Sequence, residues 1–241
     1  PKDPEDMGRL VLAAEGCYDA AIGYGAPFIS GKDSFYNQSK DASGKDHPIP
    51  LSLLISAVAP VEDVRRAITI NFKGPGDPLY LAGVSRKGMG GSVYNELYRS
   101  GNDQLAPLDI RAAVRLYRAL LKTIKAGCVT AAHDVSQGGL AVTLAEMAFS
   151  GGLGAELELS VAPAEKGLSA LELLFGESPA RLVVEVKKEK EKEFLRLVKG
   201  LPVGRIGLVR DNAALDLRLG GEPLLKGDIF ALKKCWKREL L

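Results

Sequence analysis

The sequence has 241 residues, is 46% hydrophobic and 26% charged, and carries a formal net charge of +2. This composition is typical of a globular protein of one large or two small domains. The small net charge, and the lack of any apolar run near the roughly 18 residues of a membrane span, argue against nucleic-acid and membrane partners.

The three cysteines, Cys17, Cys128 and Cys235, are widely spaced and form no Cys-x-x-Cys pair. This spacing argues against a zinc ribbon and against a disulfide framework. It predicts reduced thiols that behave as small apolar residues, and therefore a cytoplasmic protein.

The first 70 residues carry the pattern of one helix and two strands. Apolar side chains recur at helical spacing from Met7 onward, and Gly25 is placed to end that helix. "APFIS" (26–30) and "LSLLISAVAP" (51–60) predict two strands, the second well buried. These elements are too few for a complete α/β domain, so we interpret 1–70 as a truncated N-terminal sheet domain. The opening residues, "PKDPEDMG", lack an initiator Met, and we expect the chain to be a piece of a longer protein.

A segment rich in Gly and Pro, "NFKGPGDP" (71–78), predicts a domain boundary. After it, strand and helix patterns alternate, which predicts a C-terminal α/β domain over 71–241 and an α/β (α+β) fold with a mixed sheet. The clearest helix pattern is "DIRAAVRLYRALLKTIKAG", whose apolar side chains share one face. Gly220 and Gly221 predict the turn of a β-hairpin.

The most informative segment is "VTAAHDVSQGGLAVTLAEMAF", in which polar residues and glycines stand between a short strand and an apolar helix. Asp, Ser and Gly are common at helix starts, so capping by Ser136 is one interpretation. The other is a nucleotide–metal site, because helix starts bind anions and Mg²⁺ prefers one or two carboxylates with phosphate oxygens and water. Asp134 then ligates the metal, while Gly138 and Gly139 leave room for a ligand or for tight packing. We interpret His133 as an ordinary strand-end residue.

A second candidate is "ISGKDSFYN", in which Gly31, Lys32 and Ser34 follow a predicted strand. A glycine, a cation and a hydroxyl on one loop suit phosphate binding. The segment is not a P-loop, because Asp33 separates Lys32 from Ser34 and the first glycine of that motif is replaced by Ala26. A plain turn remains the alternative.

Two further segments have weaker signals. In "LFGESPARLVVEV", Glu177 and Arg181 flank a turn before a strand, and we interpret them as a surface ion pair, which contributes little to stability. "GMGGS" (88–92) is interpreted as a plain turn.

These segments, in this order and at this spacing, resemble one family. "PFISGKDSFYN", "HDVSQGGLAVTLAEMAFSGGLGAELEL" and "LFGESPARLVVEV" are similar to the C-terminal half of phosphoribosylformylglycinamidine synthase, the synthetase of the fourth step of purine biosynthesis. "PLSLLISAVAPVEDVRRAIT" and "GDPLYLAG" fit the same family, so the resemblance covers nearly the whole chain. It implies a PurM-like unit, in which an N-terminal sheet domain precedes a C-terminal α/β domain.

The resemblance also implies an activity, that of an ATP-dependent amidoligase. In this family ATP activates the amide oxygen of formylglycinamide ribonucleotide, and ammonia from a glutaminase subunit or domain displaces the phosphate to give the amidine. The implied cofactors are ATP and Mg²⁺. The implied partners are a small-molecule substrate, the glutaminase and the missing N-terminal half of the synthetase. Because the chain matches only the second of two tandem units, we expect it to contain no catalytic residue, to be inactive alone and to form a homodimer.

The family's site residues carry over one by one. Ser34 matches a substrate-contacting position and Asp134 a magnesium position. Lys32 stands where many relatives have a metal-binding Asn; an ammonium cannot ligate a metal, so we expect Lys32 to contact phosphate. The residues expected at ATP or its phosphates are Gly31, Lys32, Ser136, Gly138 and Gly139.

Two alternatives stay open at this point. One is a non-catalytic module for nucleotide binding or assembly. The other is a stand-alone PurM-like kinase or synthetase, which is disfavoured because the acidic, Gly-rich N-terminal sequence of those enzymes is missing.

Overall fold

A computed structural model describes residues 4–32 and 37–238, and the chain divides into two units, Pro1–Glu62 and Asp63–Leu241. The first unit begins with helix α1 (Pro4–Tyr24), which ends at Gly25 as the sequence predicts. Gly25 has a φ of 67°, a left-handed conformation that favours glycine at helix ends. The assignment of 1–70 and 71–241 to the two domains of a PurM-like unit stays a prediction.

The two strands predicted in the first unit are wrong. Residues 26–30 and 51–60 form no strand, and the strands that do form, β1 (Gln38–Lys40) and β2 (Asp46–Pro48), lie between these two segments and pair antiparallel. The composition of 51–60 suits a strand, but a strand needs a neighbour for its backbone hydrogen bonds. Within the part of the chain that the structure describes, no strand pairs with it. Leu54 is 91% exposed, so the predicted burial is wrong as well.

The second unit is built on a seven-stranded sheet with the order β4-β6-β3-β7-β5-β8-β9. Its strands are β3 (Pro78–Ala82), β4 (Val129–Asp134), β5 (Gly154–Glu158), β6 (Leu182–Val186), β7 (Val203–Arg210), β8 (Ala214–Leu219) and β9 (Glu222–Asp228). Neighbours are antiparallel except for β5 and β8, which are parallel. The predicted mixed sheet is therefore confirmed, as is the hairpin that turns at Gly220 and Gly221.

Helices cover both faces of this sheet. They are α2 (Val93–Tyr98), α3 (Ile110–Lys125), α4 (Gly139–Gly151), α5 (Ala170–Phe175), α6 (Glu191–Leu197) and α7 (Ile229–Trp236), with short 3₁₀ turns at Val64–Arg66, Leu159–Val161 and Lys188–Lys190. Side-chain caps start several of them. Asp109 accepts the Ala112 N–H at α3, and Ser169 and Glu172 form a capping box at α5.

Alternation along the strands divides the buried side chains into two cores. Leu79 and Leu81 of β3 join a core that contains side chains of α4, α5 and α7. Tyr80 and Ala82 point to the opposite face and join a core with side chains of α3 and α6. The α/β class is confirmed, and across residues 4–32 and 37–238 no helix is both long and apolar enough to cross a membrane.

Candidate functional site

The join between β4 and α4 presents two polar side chains to solvent. The Asp134 side chain is 69% exposed, and Ser136 is exposed as well. Val135, between them, is buried in the core on the α4 side of the sheet. Alternate residues of an extended segment point the same way, so Asp134 and Ser136 are placed to contact one ligand together.

The carboxyl group of Asp134 is held in its charged form. Partial burial opposes ionisation, but hydrogen bonds from its own backbone N–H, from His133 and from Ser136 outweigh that cost and lower the pKa of Asp134. An exposed, ionised carboxylate at a strand end is a suitable ligand for a hard cation. Among the described residues there is no group of three or more His, Cys, Asp or Glu side chains that could hold a metal by themselves. A single carboxylate suits Mg²⁺ when phosphate oxygens and water supply the remaining ligands.

His133 proves to be more than a strand-end residue. Its Nδ1 lies 3.2 Å from Asp134 Oδ1, and its Nε2 lies 3.0 Å from Glu146 Oε2 on α4. The other oxygen of Glu146 accepts the Trp236 indole N–H at 2.9 Å. His133 thus connects Asp134 to α4 and, through Glu146, to α7. Its sequence position alone did not reveal these contacts, because Glu146 and Trp236 are distant in sequence.

Gly138 and Gly139 are required by the backbone and by packing. Their φ angles are 80° and 69°, a left-handed conformation that disfavours other residues. A Cβ at Gly138 would lie 2.5 Å from the Val142 side chain, and one at Gly139 would lie 2.7 Å from the Leu174 carbonyl oxygen. Both N–H groups are engaged within the protein: Gly138 donates to Glu177 and Gly139 to the Ser136 carbonyl. The binding of ATP phosphates at Gly138 and Gly139 stays a prediction.

The interpretation of Ser136 as a helix cap is wrong. The residue at the cap position of α4 is Gly138, and no side-chain hydrogen bond caps this helix. The Ser136 hydroxyl instead interacts with the Asp134 carboxylate. The cap position is Gly138 because two successive left-handed residues, Gly138 at the cap and Gly139 as the first residue of α4, set the start of the helix after Ser136.

The interpretation of Glu177 and Arg181 as a surface ion pair is also wrong. Arg181 is only 1% exposed. Its guanidinium donates to the Gly176 and Ser178 carbonyl oxygens and, at 3.0 Å, to Ser85 Oγ. Burial lowers the pKa of Arg181 to about 10, and the nearby charge of Glu177 opposes that shift.

Glu177 binds the backbone of the loop that precedes α4. Its Oε1 accepts the N–H of Gly138 and that of Val93, each at 2.8 Å. This one carboxylate therefore joins the starts of α2 and α4. The glycine turn at 88–92 is the plain turn that the sequence predicts, with Gly90 donating to the Gln104 carbonyl.

The remaining predicted residues belong to the first unit. Gly31 and Lys32 are exposed, and Ser34 lies outside the described residues. Gly31 has no positive φ, and a Cβ there would meet no atom within 4 Å. No local steric need explains this glycine, so the ligand-binding role of Gly31, Lys32 and Ser34 stays a prediction.

Glu185 is a buried residue that the sequence did not single out. Its carboxylate accepts the N–H groups of Lys73 and Gly74, the latter at 2.7 Å. Burial raises its pKa, against these hydrogen bonds. The sequence did carry a signal for this residue, namely an acidic side chain within the apolar strand "LVVEV". A carboxylate buried in such a strand needs polar partners.

Residues 74–220 match the family described as "AIR synthase related protein, C-terminal domain". The chain belongs to this family. Over 237 residues it is 32% identical to phosphoribosylformylglycinamidine synthase subunit PurL of Leifsonia xyli subsp. xyli, a match that covers 97% of this chain and 29% of the relative. It is 37% identical over 201 residues to the PurL subunit of Thermococcus sibiricus, covering 82% and 27% of the two chains. The resemblance drawn from the sequence is confirmed, and the chain spans about three-tenths of the length of these relatives.

Solved structures share this fold. T. maritima PurL complexed with FGAR matches with a TM-score of 0.61 and 20% identity, over 70% of this chain and 30% of that one. T. maritima PurL complexed with ATP matches with a TM-score of 0.57 and 18% identity, over 70% and 27%. At these identities the likeness shows the fold alone.

Proposed function

We propose that this chain is part of the ATP-dependent amidoligase phosphoribosylformylglycinamidine synthase. The complete enzyme converts formylglycinamide ribonucleotide, glutamine-derived ammonia and ATP into formylglycinamidine ribonucleotide. The observation that carries the proposal is the exposed, ionised Asp134 at the end of β4, in a chain that is 32% identical to a PurL subunit along nearly its whole length. The other components are the remainder of the synthetase and a glutaminase, in the cytoplasm.

In this proposal the β4–α4 join of the second unit holds nucleotide phosphates and Mg²⁺. Asp134 ligates the ion, and the Ser136 hydroxyl hydrogen-bonds the nucleotide. Mg²⁺ would offset the negative charge of the phosphates. Glu177, by fixing the Gly138 N–H, keeps the loop in the shape that leaves both side chains exposed. Gly31 and Lys32 contact phosphate, and Ser34 contacts the substrate.

The test is a calorimetric titration of ADP, with and without Mg²⁺, on the full-length synthetase that contains this chain. Asp134→Asn removes a charged metal contact and should weaken Mg²⁺-dependent binding by more than ~10-fold, or ~1.4 kcal/mol. Ser136→Ala removes one neutral hydrogen bond, worth about 0.5–1.5 kcal/mol, and should weaken it less. Asp211→Asn, at another exposed aspartate of the second unit, is the matched control. Wild-type affinity in Asp134→Asn would remove this site from the proposal.

A separate measurement addresses activity. The 241-residue chain alone, mixed with ATP, formylglycinamide ribonucleotide and ammonia, should give no turnover, because we place no catalytic residue in it. Turnover comparable to that of a full-length synthetase would show instead a complete active site. If the full-length protein binds ADP but its turnover is unaffected by Asp134→Asn, the 241-residue chain is a non-catalytic nucleotide-binding or assembly module.

A further inference from the structure

A basic cleft lies in the second unit, away from the β4–α4 join. It encloses about 350 Å³, within the size range of small-molecule sites. Five cationic residues line it: Arg65, Arg66, Lys73, Lys125 and Lys187. No acidic residue is among the lining residues, and Ile68, Ile124 and Val129 give it an apolar part. We propose that this basic cleft binds a small phosphate-bearing anion, at a site distinct from the nucleotide site proposed at Asp134.

Two of the five cationic residues, Arg65 and Arg66, already have partners within the protein. Asp63 accepts from Arg65 Nε at 2.9 Å and Nη2 at 3.0 Å, and it lies 3.7 Å from Arg66. Arg66 also donates to the Lys125 carbonyl at 3.4 Å, near the C-terminus of α3, where a cation complements the helix dipole. The positive charges of these two arginines are therefore partly neutralised by the Asp63 carboxylate and by the C-terminal end of α3.

Lys73 and Lys187 differ from these arginines, because no carboxylate among the described residues forms an ion pair with them. The Lys73 ammonium donates to Thr69 Oγ1 at 3.0 Å and to the Asn71 carbonyl at 3.1 Å, both of which are neutral acceptors. The charge of Glu185 interacts with Lys73, and the Glu185 carboxylate accepts the backbone N–H groups of Lys73 and Gly74. Partial burial lowers the pKa of Lys73, and the charge of Glu185 opposes that shift.

Both lysines are held in place by their backbones. The Lys73 N–H is bound by the buried Glu185, and the Lys187 N–H donates to the Cys128 carbonyl at 2.9 Å. The cations therefore project from fixed backbone positions, and an anion does not have to order a mobile loop before it binds. Phosphate groups suit such a site, because several ammonium and guanidinium donors satisfy their oxygens together.

The probe is inorganic pyrophosphate, titrated into the 241-residue chain by calorimetry in Mg²⁺-free buffer. The Lys73→Met/Lys187→Met double variant should bind it at least ~10-fold more weakly than wild type. The matched control is Lys199→Met/Lys234→Met, which removes the same charge from exposed lysines outside the cleft and should bind as wild type does. Melting temperatures establish that each variant is folded.

Asp134→Asn separates this proposal from the proposed function, since pyrophosphate binding at the basic cleft should survive that substitution. Equal weakening in both double variants would show only a general charge effect and would overturn the proposal. Saturable pyrophosphate binding that Lys73→Met/Lys187→Met retains would also overturn it. The same holds if wild type binds a longer polyanion, such as an acidic peptide, but not pyrophosphate.

Discussion

One oxygen of the Glu177 carboxylate accepts the Gly138 N–H at 2.8 Å. The same oxygen accepts the Val93 N–H at 2.8 Å. Two helix starts therefore depend on one side chain that neither helix contains. Beside this junction, the rings of Tyr94 on α2 and Phe175 on α5 stack with their centroids 5.3 Å apart. The glycine loop in front of α4 is thus fixed from the segment between α5 and β6.

Glu177→Ala should lower the free energy of unfolding by about 1–3 kcal/mol, because it leaves two backbone N–H groups without their acceptor. Glu177→Gln keeps an oxygen in place and should cost less. The control is Glu165→Ala, which removes an exposed carboxylate that accepts the Lys87 N–H. Denaturant unfolding measures all three. A loss in Glu177→Ala no larger than that in the control would mean that water replaces the carboxylate.

Arg181→Met should cost about 3 kcal/mol or more, since buried carbonyl oxygens and the Ser85 hydroxyl lose a charged donor. Arg205→Met is the matched control. Arg205 is exposed and pairs with Glu191 only at 3.5 Å, so the substitution should stay within about 0.5 kcal/mol of wild type. Thermal or urea unfolding gives the comparison. Similar values for the two variants would contradict a structural role of the buried guanidinium.

Glu158 gives the second unit a pH dependence. Its carboxylate accepts the N–H groups of Ser160, Gly220 and Gly221, which lowers its pKa to about 2. A carboxyl whose pKa is lower in the folded state stabilises the fold above its unfolded pKa, near 4.3, and loses that contribution as the pH falls toward 2. The melting temperature of Glu158→Gln should therefore lie below wild type at pH 7, and the gap should narrow between pH 5 and pH 3. A gap that stays constant over this range would exclude ionisation as the cause.

Much of the second unit could be predicted from the sequence, because local patterns determine it. The amphipathic face of α3, the apolar strands and the paired glycines at 220–221 each depend on neighbours in sequence. The prediction of a strand at 51–60 was wrong because strand formation depends on a neighbouring strand, which cannot be inferred from the composition of the segment. Glu177 and Arg181 were misread for the same reason: their partners Gly138, Val93 and Ser85 lie far away along the chain.

The apolar segment 51–60 leads to a prediction about assembly. Leu54 is 91% exposed and Val58 is 85% exposed. Contiguous exposed apolar side chains favour association, so the 241-residue chain should self-associate, as a homodimer, at tens of micromolar, roughly the usual working range for oligomers. Sedimentation velocity should show a smaller associated fraction for Leu54→Ser/Val58→Ser than for Leu171→Ser/Leu195→Ser, a control pair in the second unit. A strictly monomeric wild-type chain would refute this prediction.

The position of β3 within the sheet has a consequence for how the second unit folds. This strand comes first in the unit, yet its two neighbours, β6 and β7, are among the later strands: Leu79 pairs with Glu185 on one side and with Gly207 on the other. Contacts between such distant positions require closure of long loops, which slows folding. During synthesis, one edge of β3 stays unpaired until β6 has been made, and the other edge until β7 has been made. Unpaired strand edges and exposed apolar side chains make a partly folded chain prone to aggregation during such an interval.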